Sequence, residues 1–220
     1  MFAVLDQGLV VKGDDVKYLC VRPDPVGRSV LIRIDGEDVL VQVRTGLDSD
    51  AADKTLEACV ETLGEAEVKL LVMGEVAVKA EAVHGLWLKP EVVPVSRKQS
   101  WVVVAKLESE DRLLSVQSYD KQADALKALK SFAKILNEEE ENSLVQVGDE
   151  MWTRPAETKC LTIRLVGDKA ELYGRVTDAF PTLIAVFPTL AAAEKAADKA
   201  MEAVNEAIDG EGEEKLLCLG

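Results

Sequence analysis

Apolar and polar residues alternate with a period of two along six short stretches of this chain, and recur at spacings of three and four along three longer ones. The short stretches come in pairs: residues 29–34 and 38–44 with Asp35-Gly36 between them, 101–107 and 112–117, then 161–166 and 170–176 across Gly167-Asp168. A period of two sends successive side chains to opposite faces of a strand, and Asp/Gly turns reverse the chain. Each pair is therefore predicted to form a β-hairpin.

A helical pattern follows each pair. Ala52, Leu56, Cys59, Val60 and Leu63 share one face in the first, with Asp50 as the expected cap and Gly64 as the expected end. In the second the face is Ala125, Leu126, Leu129, Phe132, Ala133 and Leu136, with Asp120 as the cap. In the third it is Ala193, Ala197, Ala200, Met201, Val204 and Ile208, opened by Thr189 after Pro188. One-faced helices bury that face, so each is expected to cover its neighbouring sheet.

The pattern also repeats at long range. Gly8-Leu-Val-Val-Lys-Gly-Asp-Asp-Val-Lys-Tyr-Leu-Cys-Val-Arg-Pro23 lies over residues 75–90 without a gap, and Val147-Gly-Asp-Glu-Met-Trp-Thr-Arg-Pro155 opens a third, shorter version. Residues 64–74 match 210–220 at seven of eleven positions, and 137–148 is a looser copy. The expected fold is α+β: three tandem repeats of a small antiparallel β-sheet or partly open barrel, each with one covering helix and a closing strand. The units are residues 1–66, 67–139 and 140–220. The strands near 68–73 and 143–147 fall at junctions. Residues 215–220 are expected to complete the third sheet, because an isolated strand leaves its backbone groups unpaired.

Two segments break the pattern. Residues 92–100 and 180–188 read as inserts, the first polar and basic, the second apolar. Phe180, Leu183, Ile184, Val186 and Phe187 in the second are expected to make an extra edge strand, with a docking surface as the alternative.

Composition sets limits. Units of about 65 to 75 residues are near the lower size for an independent core, since a chain of about 60 residues buries only about 60% of its unfolded surface. A 48% hydrophobic, 30% charged chain is nevertheless a folded one. No basic leader and no run of about 20 apolar residues is present, so a cytoplasmic protein is expected, without a membrane. Cys20, Cys59, Cys160 and Cys218 have no paired spacing and read as free thiols. Net charge is −14, spread as 13 acids against 7 bases in 1–66, 11 against 11 in 67–139, and 16 against 8 in 140–220. Two acidic ends around a neutral middle disfavour wholesale attraction to nucleic acid or an anionic membrane.

Candidate chemistry is sparse. His84 is the single histidine, with no Ser, Cys or paired acid beside it in sequence, and Lys17 stands at its place in the first unit. No phosphate-cradling Gly loop or metal-ligand spacing is present, so no catalytic residue, cofactor or metal is expected. Trp87-Leu-Lys89-Pro90 and Trp152-Thr-Arg154-Pro155 share one frame, with Cys20-Val-Arg22-Pro23 in the first unit. Residues two apart on a strand share a face, so indole and cation would lie together. They form either a stacking platform for single-stranded nucleic acid or a core indole with a cation packed over it. Trp101 is a third candidate aromatic. Lys127, Lys130 and Lys134 fall on one side of the middle helix, with Lys121 at its start, and are candidate partner-binding residues together with Arg97 and Lys98 of the first insert and Lys89 beside Trp87.

The reading that results is a non-enzymatic protein-interaction module with an acidic surface and a protein partner. An inhibitor or adaptor encoded by a virus or mobile element fits that reading. The alternative is a nucleic-acid-binding protein using the neutral, Lys-striped middle repeat.

Overall fold

A computed structural model describes residues 1–92, 98–108, 110–139, 144–177 and 179–209. The alternating segments are strands and the segments spaced by three and four are helices, in an α+β arrangement with three helices and four antiparallel sheets among the described residues. The chain divides into two compact units, residues 1–80 and 81–220.

In the first unit, β1 (Phe2–Val4) and β2 (Val10–Lys12) form a two-stranded hairpin, closed where the Gly13 N–H donates to the Met1 carbonyl at 2.9 Å. A 3-10 turn at Gly13–Asp15 leads into β3 (Val16–Asp24), followed by β4 (Gly27–Ile34), β5 (Val41–Leu47), α1 (Ser49–Glu65), β6 (Leu71–Met73) and β7 (Val76–Val78). The sheet order is β5-β4-β3-β7-β6. Asp24 holds the β3–β4 turn: its carboxylate accepts from the Ser29 hydroxyl, the Thr45 hydroxyl at 2.6 Å and the Val26 N–H at 2.8 Å. These bonds, Ser29 first, keep it well below the usual carboxylate range. Leu56, Cys59 and Leu63 of α1 bury against Leu19, Val21, Val30 and Ile32 of the sheet.

In the second unit, β8 (Val83–Val92) follows a 3-10 turn at Ala80–Ala82. Then come β9 (Gln99–Leu107), β10 (Leu114–Tyr119), α2 (Gln122–Glu139), β11 (Val145–Gly148) and β12 (Met151–Thr153). Another 3-10 turn, Pro155–Glu157, precedes β13 (Thr158–Val166), β14 (Lys169–Val176), β15 (Thr182–Phe187) and α3 (Leu190–Asp209). The sheet orders are β10-β9-β8-β12-β11 and β13-β14-β15. Trp87, Met151, Leu161, Leu172, Ile184 and Val204 share one core, so the two sheets and α3 are packed together.

Of the two expected forms, antiparallel sheet and partly open barrel, the sheets match the first: each has two edge strands, and among the described residues none closes into a barrel. Other expectations change. Asp48, not Asp50, caps α1: its side chain accepts from the Ala51 N–H at 2.8 Å, while Asp50 lies inside the first turn. Gly64 stays within α1. The left-handed residue is Glu67, at φ 65°, and the Val68 N–H reaches back to the Leu63 carbonyl at 2.9 Å, the six-to-one bond of a Schellman end. The first helical bond of α2 runs from the Ala125 N–H to the Lys121 carbonyl, so Asp120 precedes its cap position. Thr189 does cap α3, accepting from the Ala192 N–H at 3.2 Å.

Residues 180–188 hold an edge strand, β15, which is the third strand of a meander ordered like β3-β4-β5 and β8-β9-β10, not an addition to it. Ile184 is buried, whereas Phe180 precedes the strand and is 92% exposed. The expected closing strand at 215–220 lies outside the described residues.

Candidate functional site

One group of titratable side chains gathers where β8 begins. His84 is its second residue, and the Glu157 carboxylate, from the turn before β13, stands with Oε2 3.6 Å from His84 Nδ1. The Thr177 hydroxyl donates to the same carboxylate, and the Thr177 N–H donates to the Glu157 carbonyl at 2.8 Å. Thr177 holds φ 42°, a left-handed conformation rare for a β-branched residue. Arg154, between β12 and the 155–157 turn, fastens the group: its N–H donates to the His84 carbonyl at 2.9 Å, and its guanidinium donates to the carbonyls of Val83 and Glu81.

Burial holds the His84 imidazole below its ordinary range, against the opposing pull of Glu157 and Glu108. Burial also pushes Glu157 up, but the Thr177 hydroxyl, then His84, Lys159 and Arg154, outweigh it and leave the carboxyl low. A depressed imidazole is neutral at neutral pH, so the Thr177 bond is the more secure cause. The group is thus a neutral imidazole beside an ionised carboxylate whose nearest hydroxyl is already donating to it. That arrangement ties β8, the 155–157 turn and the end of β14 together.

A second feature is a pocket of about 490 Å³ in the first unit, beside α1. Asp6, Arg44, Lys54, Thr55, Cys59 and Thr62 line it, and Arg44 Nη1 meets Asp6 Oδ2 at 3.0 Å. Burial pushes the Cys59 thiol up, which keeps it protonated and a poor nucleophile. The sequence carried no signal for this pocket, because the Asp6 to Arg44 pairing depends on how β5 meets the turn after β1.

The tryptophans do not form one repeated platform. Trp87 lies within β8 and is 2% exposed, while Trp152 lies in β12, before the 3-10 turn. Their registers are Trp87↔Met151 and Leu86↔Trp152, so the two indoles project from opposite faces of the sheet. The shared Trp-x-Lys/Arg-Pro frame therefore does not put the two indoles on one face. By distance from the turn, Thr162 on β13 stands where Trp87 stands on β8. Trp152 is half-buried, as is Trp101, and the Trp152 Nε1 is enclosed without a hydrogen-bond partner. Its neighbour Arg154 spends its guanidinium on backbone carbonyls.

The lysines fare differently. Lys127, Lys130 and Lys134 lie on the exposed face of α2, opposite the buried Leu129, Ala133 and Leu136, and Lys134 pairs with Glu138 at 3.3 Å. Lys121 and Lys98 are exposed, and Lys89 pairs with Glu91 at 3.7 Å. Arg97 lies outside the described residues. Among the described residues no group of three or more His, Cys, Asp or Glu side chains could hold a metal ion, and no helix is long and apolar enough to cross a membrane. Comparison of the chain with family models, with curated proteins and with solved structures gives no match.

Proposed function

We propose that the protein is a non-enzymatic protein-interaction module that works through its charged helix faces, as an inhibitor or adaptor in the cytoplasm. The observation that carries this reading is the outer face of α1, where Asp50, Asp53, Glu57 and Glu61 are all exposed at helical spacing. On α3, Glu194, Asp198 and Glu202 are likewise exposed. Aligned carboxylates create a local field that attracts a basic surface and speeds its encounter. Three tandem units, 1–66, 67–139 and 140–220, are the scaffold this reading assumes. It draws support from the recurring order of 3-10 turn, three-stranded meander and helix.

The test is affinity purification of the full chain from its native cell beside a variant carrying Asp53→Lys and Glu57→Lys. A stoichiometric partner retained by the native chain and lost by the variant is expected. Equal recovery by both, or no stoichiometric partner, overturns the reading.

One observation favours nucleic acid as a second reading: the exposed Lys127, Lys130 and Lys134 face on α2, with Lys121 at its start. Phosphate contacts release counterions, so such binding would weaken steeply with salt. A fluorescence titration with single-stranded DNA and RNA at low salt tests it, and a flat trace ends it.

A further inference from the structure

Twice in this chain a hairpin docks on a long strand in the same way. β3 and β8 each follow a 3-10 turn, and each carries a bulge one residue in, between Val16 and Tyr18 and between Val83 and Gly85. On the edge away from β4, β3 receives β7 in the register Tyr18↔Val78, Leu19↔Ala77, Cys20↔Val76. On the edge away from β9, β8 receives β12 in the register Gly85↔Thr153, Leu86↔Trp152, Trp87↔Met151. Counted from the turn, these are the same three positions on both strands. The hydrogen bonds agree as well: the Val21 N–H donates to Glu75 at 2.8 Å, and the Leu88 N–H donates to Glu150 at 3.0 Å.

β13 is a third strand of this kind. It follows the turn at Pro155–Glu157 and bulges between Thr158 and Cys160. Among the described residues β14 is its only strand neighbour. The chain also holds one hairpin of the docking kind with no strand beside it among those residues, β1–β2. Like β7 and β12, which reach a 3-10 turn after one intervening residue, β2 leads into a 3-10 turn. One face of this hairpin is settled, with Ala3 and Val11 buried in the core under α1. The other shows Phe2, Val4 and Val10 at 57–70% exposure. Because the Gly13 N–H points to β1, alternation along the strand directs the Val10 and Lys12 N–H groups to the opposite, open edge.

We propose that the β1–β2 hairpin of one copy of this protein docks on the β13 edge of a second copy, giving a head-to-tail assembly with the register Cys160↔Val11, Leu161↔Val10, Thr162↔Leu9. The Val10 N–H then donates to the Leu161 carbonyl, and the exposed Val10 side chain covers the face on which Leu161 is buried under α3. The surfaces on the two copies differ, so the contact is heterologous and can be extended by further copies. Residues 215–220 are the competing occupant. Their sequence match is to residues 69–74, which contain β6, and in both five-stranded sheets the strand after the helix, β6 or β11, takes the outermost place and never meets β3 or β8. The inner place on β13 is therefore one that the counterparts of that segment do not fill. This inference goes beyond the proposed function and does not depend on its charged faces.

Sedimentation velocity of the full chain over a range of concentrations tests it, beside Val10→Pro, which removes the outward donor from an edge strand. Native protein is expected at multiples of 23.9 kDa that grow with concentration, and Val10→Pro is expected as monomer with an unchanged circular dichroism spectrum. Should that variant unfold, register is read by cross-linking instead. Leu9→Cys and Thr162→Cys, placed on separate full chains in a background of Cys160→Ser and Cys218→Ser, should give a disulfide-linked dimer only when the two are mixed and oxidised. A monomer at every concentration, with the β13 edge filled from within the chain, overturns the proposal. So does an oligomer indifferent to Val10→Pro, or the absence of the mixed cross-link.

Discussion

Ile184 occupies the space that a side chain at Gly148 would need. The glycine is the last residue of β11, and the isoleucine, 2% exposed, belongs to β15 in a different sheet. Gly174 on β14 completes the recess, since a Cβ there would fall 2.8 Å from Ile184 Cδ1 and 3.2 Å from Met151 Sδ. The two glycines together let the sheets approach closely enough to share a core.

Gly148→Ala should therefore destabilise the protein by about 1–3 kcal/mol, the usual cost of overpacking a filled core. Gly64→Ala is the contrasting control. That glycine sits inside α1 with nothing within 4 Å of its would-be Cβ, so alanine should stabilise by about 0.5–1 kcal/mol. Urea unfolding of the two variants should move the midpoint in opposite directions.

The cap assignment separates two acids only two residues apart. Asp48→Ala loses the bond to the Ala51 N–H and should cost about 1 kcal/mol. Asp50→Ala removes only a first-turn charge and should stay within about 0.5 kcal/mol of the native chain. Thermal melts that rank the two variants the other way would place the cap at Asp50.

Acid should act through the His84–Glu157 group. The imidazole is depressed below 6.5 in the fold, so between that value and its folded one the unfolded chain binds more protons, and stability falls as pH drops through the interval. Glu157 is depressed below 4.5, so its contribution holds above that value and is lost as pH falls further. A pH series of unfolding free energies should show the upper part of the decline flattened in His84→Gln and the lower part flattened in Glu157→Gln. A native slope left unchanged in both variants would remove the pair as its cause.

Trp87→Ala should cost about 3–5 kcal/mol, because the indole is enclosed by Val102, Val104, Met151 and the rest of that core. Its emission in the native chain should be blue-shifted and insensitive to added single-stranded DNA. A red, DNA-quenched emission assigned to Trp87 by comparison with Trp87→Phe would show the indole outside the core.

The local elements were legible from neighbouring residues alone. Alternation around Asp35-Gly36 and Gly167-Asp168 placed two hairpins, and spacing of three and four placed the buried faces of α1, α2 and α3, because strand and helix periods are written within a few residues. The α2 lysines were legible for the same reason, as the complement of an apolar face. Helix ends were harder. Asp48 and Asp50 differ only in which carboxylate meets the Ala51 N–H, a matter of backbone angle at one residue.

What only the tertiary structure decided is how segments distant in sequence meet. Trp87 and Trp152 looked equivalent by motif, but strand pairing sets them on opposite faces, since a side chain's face follows from its register and not from its flanking residues. The approach of His84 to Glu157, the seating of Ile184 over two glycines and the docking of β6–β7 on β3 and of β11–β12 on β8 depend on groups finding partners many residues away. The sequence by itself determined the paired strands β4–β5, β9–β10 and β13–β14 and the buried faces of the three helices, whose periods lie within a few residues. Which edges are filled, and by what, follows from pairing geometry that no local pattern contains.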